Sequence, residues 1–266
     1  MSVITLLTDF GTDDEYVGLM KGAILSIHPS ATIVDITHQI DSQDIVQAAF
    51  AIRSAYHYFP EGTVHIIVVD PGVGTERGLL ALKLKNHFFI APDNGVLTLL
   101  LNEKEISSLV LISNSIFFRA AVSRTFHGRD IMAPVGAHIA NGVDINGLGS
   151  NIDVQNVVCL ENLGARRMEN GEIRGEIVGI DHFGNLITNI DSELLTESLH
   201  AGPEKKIQIK IRSNIINGLS ETYGSVRSNT PLALIGSRGY LEIAINEGNA
   251  AQILKAKKKD CVRVFV

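Results

Sequence analysis

The feature that most restricts how this chain can fold is a change of rhythm near Gly147. Before it, apolar runs alternate with longer amphipathic stretches: VITLLT, a helical stretch from Asp14 to about Ile27, ATIVDI, a second from Ser42 to about Tyr58, then VHIIVV. Apolar strands separated by helices are the βαβ pattern, which predicts a parallel, Rossmann-like sheet. LLALKL and HFFIA follow around an Asn-His turn, DNGVLTLLL reads as a helix with an Asp cap, and Asp130 to about Ala140 as a further helix. Beyond Gly147 the segments GEIRGEIVGI, NLITNI, KIQIKI, PLALIG, YLEIAI and CVRVFV are short, often alternating, and separated by Gly, Asn, Ser or Pro. That texture predicts an antiparallel sheet or small barrel. The expected organisation is an α/β domain over residues 1–155 and a smaller antiparallel β-barrel-like domain over 170–266, with the linker inside 151–170.

Composition removes several classes of function. The 266 residues suffice for a sizeable core, and 45% hydrophobic with 20% charged residues is a globular composition. The 23 basic and 29 acidic residues leave a net charge of -6, which argues against a broad grip on nucleic acid. The start MSVITLLTDFG has no basic lead or long apolar run, and no segment is an apolar span of membrane length. A cytoplasmic protein without membrane contact is expected. Cys159 and Cys261 lack the spacing of a zinc knuckle or redox pair, and buried structural thiols are expected. The basic run LKAKKKD reads as solvated surface.

In open α/β sheets ligands gather beyond the carboxyl ends of strands, so polar clusters just after strands carry the functional question. In LLTDFGTDD, Asp9 ends the first strand; Asp13 and Asp14 open the next helix, where capping alone accounts for Asp14. With His38, these carboxylates also offer a rival reading as a metal-dependent nucleotide or phosphoester hydrolase. VVDPGVGTERG matches neither GxGxxG nor a P-loop; its glycines suit a turn, which would not need Asp70 and Arg77 unless they pair as a surface ion pair. SRTFHGRD places Arg124, His127, Arg129 and Asp130 before a helix, and a lone His there is more often structural than catalytic, gaining weight only with partners. DHFGNLITNI offers Asp181, Asn185 and Asn189 in a polar turn, where Asp and Asn also serve purely local geometry.

Taken together and in order, LLTDFGTDDEYVG, DITHQI, VVDPGVGTERG, APDNGVL, TFHGRD, DHFGNLITNI and GSRGYLEIAINEG resemble the S-adenosyl-L-methionine hydrolase family, the hydroxide adenosyltransferases, which are related to fluorinase and chlorinase. The resemblance covers nearly the whole chain. It implies a homotrimer whose sites lie between the α/β domain of one subunit and the β domain of its neighbour. It also implies that water attacks the ribose C5′ of S-adenosyl-L-methionine, releasing adenosine and L-methionine, with no cofactor or bound metal. By the same resemblance Asp70, Arg77 and His127 handle water, and Asp9 takes the ribose hydroxyls. Asp13 and Asp181 take the methionine ammonium, Asn185 reads adenine, Tyr223 lines the adenine pocket, and Ser237 with Arg238 meets the methionine carboxylate. The halide enzymes carry Ser after the position of His127; Gly128 here, together with Asp70 and Arg77, points to water as the nucleophile. A trimer that binds the substrate without turning it over is the non-enzymatic alternative.

Overall fold

The opening apolar runs become the centre of a sheet because their side chains must be buried on both sides. In the computed structural model, residues 2–199 and 207–265 are described, and the chain divides into two units, 1–161 and 162–266. The first unit contains β1 (Val3–Thr8), α1 (Tyr16–Ile27), β2 (Thr32–Thr37), α2 (Ile45–Ala55), β3 (Val64–Val68), β4 (Leu79–Leu84), β5 (His87–Pro92), α3 (Thr98–Leu101), β6 (Ile106–Ile112), α4 (Ala133–Ala140) and β7 (Gly149–Asn151). Its sheet runs β2-β1-β3-β5-β4-β6-β7. Alternation along the strands feeds two separate cores. Leu6, Ile66, Ala81 and Ile90 pack with Met20 and Ile24 of α1 and Val135 of α4; Leu7, Ile67, Leu82 and Phe89 pack with Ala48 and Ile52 of α2. A three-layer α/β unit results.

Parallel pairing holds only from β2 through β1 and β3 to β5; β4, β6 and β7 join antiparallel. The reason is local. Leu84 pairs with His87, so β4 and β5 are joined by a two-residue turn, Lys85-Asn86, with Lys85 at φ 52°, too short for a parallel crossover.

Helix starts also depart from expectation. Residue Glu15 precedes α1 with no side-chain cap bond, so Asp14 is not its cap, whereas Asp44 does cap α2, accepting from Gln47 N at 2.9 Å. The DNGV segment yields only the single turn α3, and Asp93 does not cap it; its carboxylate accepts from Val158 N at 2.8 Å. Around Asp130 the chain starts as a π-helix, Gly128–Met132, before α4.

The second unit holds β8 (Arg166–Arg167), β9 (Ile173–Ile180), β10 (Leu186–Asp191), α5 (Ser192–Leu199), β11 (Gln208–Ile211), β12 (Asn214–Asn217), β13 (Pro231–Ile235), β14 (Tyr240–Ile245), α6 (Ala250–Ile253) and β15 (Cys261–Phe265). The order β12-β11-β15-β9-β10-β14-β13 is antiparallel throughout, with β8 on the side of β9. Its two end strands, β12 and β13, touch, so the sheet curls into a barrel-like body around Ile173, Ile177, Ile209, Ile243 and Val262.

Both thiols are exposed, contrary to the sequence expectation. On β15, Val262 and Val264 take the inward face, which leaves Cys261, Arg263 and Phe265 on the outward one. Cys159 sits in an irregular stretch after a 3₁₀ turn at Val154–Asn156. No described helix is long and apolar enough to cross a membrane.

Candidate active site

Strand β3 ends at Val68 and hands the chain to the loop that carries Asp70 and Arg77. The loop folds back through two tight turns, Val73 N to Asp70 O at 3.2 Å and Thr75 N to Gly72 O at 3.1 Å. Gly74 adopts φ 79°, and a Cβ there would collide with the carbonyl oxygen of Arg124. Glycine therefore does two things at this position: it turns the chain and lets the loop close on the segment that leads to His127.

That approach brings three distant side chains into one bonded row. Arg77 Nε donates to both carboxylate oxygens of Asp70 at 2.9 Å, and its Nη2 also bonds Asp70 Oδ2. The same Nη2 lies 3.0 Å from Nδ1 of His127. A guanidinium only donates, so Nδ1 accepts and the neutral ring carries its proton on Nε2. Burial, and then the charge of Arg77, push the His127 pKa below its ordinary value, against the opposing pull of Asp70 and Asp130. The imidazole is neutral at pH 7.

The segment bearing His127 is held from below. Asp130 is fully buried and accepts from Arg129 Nε at 2.6 Å, Arg129 Nη2 at 2.8 Å and Ser123 N at 2.8 Å. These bonds outweigh its burial and keep the carboxyl below its usual range. Gly128 lets the π-helix press on the end of β3, since a Cβ would stand 3.1 Å from Val68 Cγ1.

A cleft of about 600 Å³ opens over this row, lined by Asp9, Asp70 and His127 among others; Arg77 stands behind the two groups it bonds. Asp9 is fixed by Gln43 N at 2.8 Å. One wall is aromatic: Phe10, Tyr16 and Phe126 meet edge to face or tilted at 5.4 to 5.8 Å, and Arg129 lies over the Phe126 ring.

The second unit has its own cleft, of about 580 Å³, lined by Asp181, Asn185, Tyr223, Ser237, Arg238 and Glu242 with several apolar neighbours. Asp181 organises the β9–β10 turn, its Oδ1 accepting from the backbone N of Phe183 and of Asn185 at 2.9 Å and its Oδ2 from Asn185 Nδ2 at 3.0 Å. Tyr223 donates to Glu242 at 2.6 Å. Desolvation, that bond and the charges of Glu242 and Asp181 push the phenol up to about 12. Burial raises the carboxyl of Glu242 as well, and the charge of Asp181 adds to this.

Of the residues singled out in the sequence, Asp9, Asp70 and His127 therefore share one cleft with Arg77 bonded behind them, and Asp181, Asn185, Tyr223, Ser237 and Arg238 share the other. Asp13 does neither; it is exposed before α1 and lines neither cleft. His38 is committed elsewhere, with Nδ1 2.9 Å from Thr8 Oγ1 and Nε2 3.1 Å from Asp35. Among the described residues, no group of three or more His, Cys, Asp or Glu side chains is placed to hold a metal ion. Sequence reasoning missed Glu242. Its signal was an acid in the otherwise apolar strand YLEIAI, a position where a carboxylate stays only with a partner.

Two halves of the chain match family models: residues 4–149 the SAM hydroxide adenosyltransferase N-terminal domain, and residues 175–263 its C-terminal domain. The chain is 34% identical over 272 residues to an (R)-S-adenosyl-L-methionine hydrolase of Thermus thermophilus, covering 100% of both chains. It is 30% identical over 276 residues to a fluorinase of an Actinoplanes species, covering 92% of this chain and 91% of that one. A crystal structure of an uncharacterized conserved protein from Thermotoga maritima superposes with a TM-score of 0.90 at 34% identity, covering 99% of this chain and 100% of the other. With the motifs now found gathered in two clefts and both domain models matched in order, the chain belongs to the SAM hydroxide adenosyltransferase family.

Proposed function

We propose that this protein is an S-adenosyl-L-methionine hydrolase, in which water displaces methionine from the ribose C5′ to give adenosine and L-methionine. The observation that carries the reading is Arg77 bonded at once to Asp70 and His127, with the latter two on the wall of one cleft. The leaving group is a neutral thioether departing from a sulfonium, so it requires no proton. The burden falls on water, whose pKa near 15.7 makes it a poor nucleophile unless a base and a polar frame hold it.

The bonding pattern divides the labour. With Nδ1 of His127 taken by Arg77, its Nε2–H is a donor that fixes the orientation of a water molecule, while the Asp70 carboxylate is left as the proton acceptor. Arg77 positions both and keeps the acid in place. Much of the rate is expected from holding the oxygen in line behind the carbon. In the second cleft, Asp181 supplies charge for the methionine ammonium, Arg238 and Ser237 for its carboxylate, and Asn185 donors and acceptors for adenine.

The second part of the proposal is that the protein is a homotrimer in the cytoplasm, in which the second-unit cleft of one subunit and the first-unit cleft of a neighbour serve one substrate. The hydrolase reading is tested by incubating the protein with S-adenosyl-L-methionine and separating the products by chromatography. Equal amounts of adenosine and methionine are expected; tight binding without turnover would leave a sequestering protein instead.

A further inference from the structure

Away from both clefts, the barrel-like unit carries cations where a sheet ordinarily avoids them. Arg174 on β9 stands directly opposite Arg166 on β8 and Arg263 on β15, and Arg263 in turn stands opposite Lys210 on β11. Directly opposed residues share a face, and like charges so placed repel. One row thus holds four cations on four neighbouring strands, in a chain whose net charge is -6. The last three, with Arg212 from the β11–β12 turn, Asp260 and Cys261, line a hollow of about 420 Å³.

Local carboxylates answer only part of this charge. Glu172, buried beneath the row, accepts from Arg174 Nε at 2.8 Å and lies 3.9 Å from Arg263 Nε. Asp260 accepts from Arg212 at 2.9 Å, and Glu176 pairs with Cys261 one step along the strand. Lys210 forms no ion pair among the described residues. The charge of the row is therefore left unanswered at its Lys210 end.

We infer that this row is a binding site for an oligophosphate, an anion whose charges repeat along a chain. Neighbouring strands lie 4.7 to 4.9 Å apart, so the step from Arg174 through Arg263 to Lys210 spans about 10 Å. A single phosphate meets one or two of these groups; a phosphate chain meets all three. Guanidiniums grip phosphate with two parallel donors and lysine adds a point charge, the mix found here. No aromatic side chain lines the hollow, so the phosphate chain itself is what the site reads. The site lies within the second unit and does not rest on the hydrolase reading.

Calorimetry on the full-length protein at low ionic strength tests it, with inorganic tripolyphosphate, orthophosphate and a magnesium-free nucleoside triphosphate as separate arms. Tripolyphosphate is expected to bind at least about tenfold more tightly than orthophosphate, and added salt to weaken it. Comparable binding of the nucleoside triphosphate would support the site and identify nucleotides as one source of the ligand. The combined change Arg174→Gln, Lys210→Gln, Arg263→Gln should lower affinity at least about tenfold, with turnover of S-adenosyl-L-methionine unchanged. Should the triple change impair folding, Lys210→Gln alone breaks no ion pair among the described residues and should still cost several-fold. Absent tripolyphosphate binding, equal binding of orthophosphate, or affinity unmoved by Lys210→Gln would overturn the inference.

Discussion

The two clefts are of similar size, yet they are built in opposite ways. In the first unit the polar groups at the wall are bonded to one another: Asp70 and His127 both spend bonds on Arg77, and the segment behind them is locked by Asp130. In the second, Asp181 is tied to its own turn, Glu242 is answered by a tyrosine hydroxyl, and Ser237 and Arg238 stand exposed. A constellation that is rigid and internally neutralised suits the handling of a small reactant, which gains from placement. Exposed groups on the rim of a cavity suit a zwitterionic ligand, which brings its own counter-charges. Similar volumes therefore go with two different constructions, which fit the proposed division between chemistry and recognition.

The strongest way to break this division is to disturb the bonded row. Asp70→Asn should lower kcat by about 10²- to 10⁴-fold with little change in KM, measured as adenosine release. Arg77→Lys should fall nearly as far, because lysine cannot make the two-pronged bond to Asp70 while reaching His127. Near-normal kcat in both would end the assignment of chemistry to this cleft.

A second test addresses the proposed sharing of one substrate between the clefts of two subunits. Arg77→Lys and Asp181→Ala chains, the first slow at any substrate level and the second slow only well below its raised KM, should regain activity at low substrate when co-expressed, since the proposed trimer would pair an intact first cleft with an intact second one. Activity no better than that of the two parents would overturn the sharing of one substrate between subunits.

Smaller effects sharpen the contrast. Asp181→Ala should raise KM about tenfold and leave kcat within a few-fold, the loss expected for one charge-assisted contact. Unchanged affinity by calorimetry would remove Asp181 from ammonium binding. Protonating His127 would set its Nδ1 proton against Arg77, so activity should be lost as pH falls through the folded pKa, which lies below the ordinary imidazole value of about 6.5. Between pH 7.5 and 6.5, kcat/KM should change less than about twofold; an acid limb centred above 6.5 would contradict the neutral, arginine-bonded ring. The smallest expected effect is none, on treatment with a chelator. Loss of turnover there would revive the metal-dependent reading through Asp9, Asp13 and Asp14.

Much of the fold was legible because burial writes itself into periodicity. Continuous apolar runs marked β1 and β3, and short alternating runs marked the barrel-like strands. What escaped were features set by neighbours far along the chain. The switch to antiparallel pairing at β4 depends on a two-residue turn that looks like any other polar dipeptide. The shortening of the helix after Asp93 depends on that carboxylate being drawn to Val158 instead. Exposure of Cys261 follows from which face of β15 meets the core, and thiols give little periodic signal of their own.

The candidate site divides along the same line. By itself the sequence determined the residue types and their motifs, because side-chain chemistry and glycine-rich turns are local properties. Tertiary structure alone decided that Arg77 reaches His127, fifty positions away, since that contact needs Gly74 to admit the carbonyl of Arg124 and Asp130 to hold the opposing segment. It also left Asp13 outside both clefts and revealed the cation row, because opposition across strands is fixed by register, and register belongs to the assembled sheet.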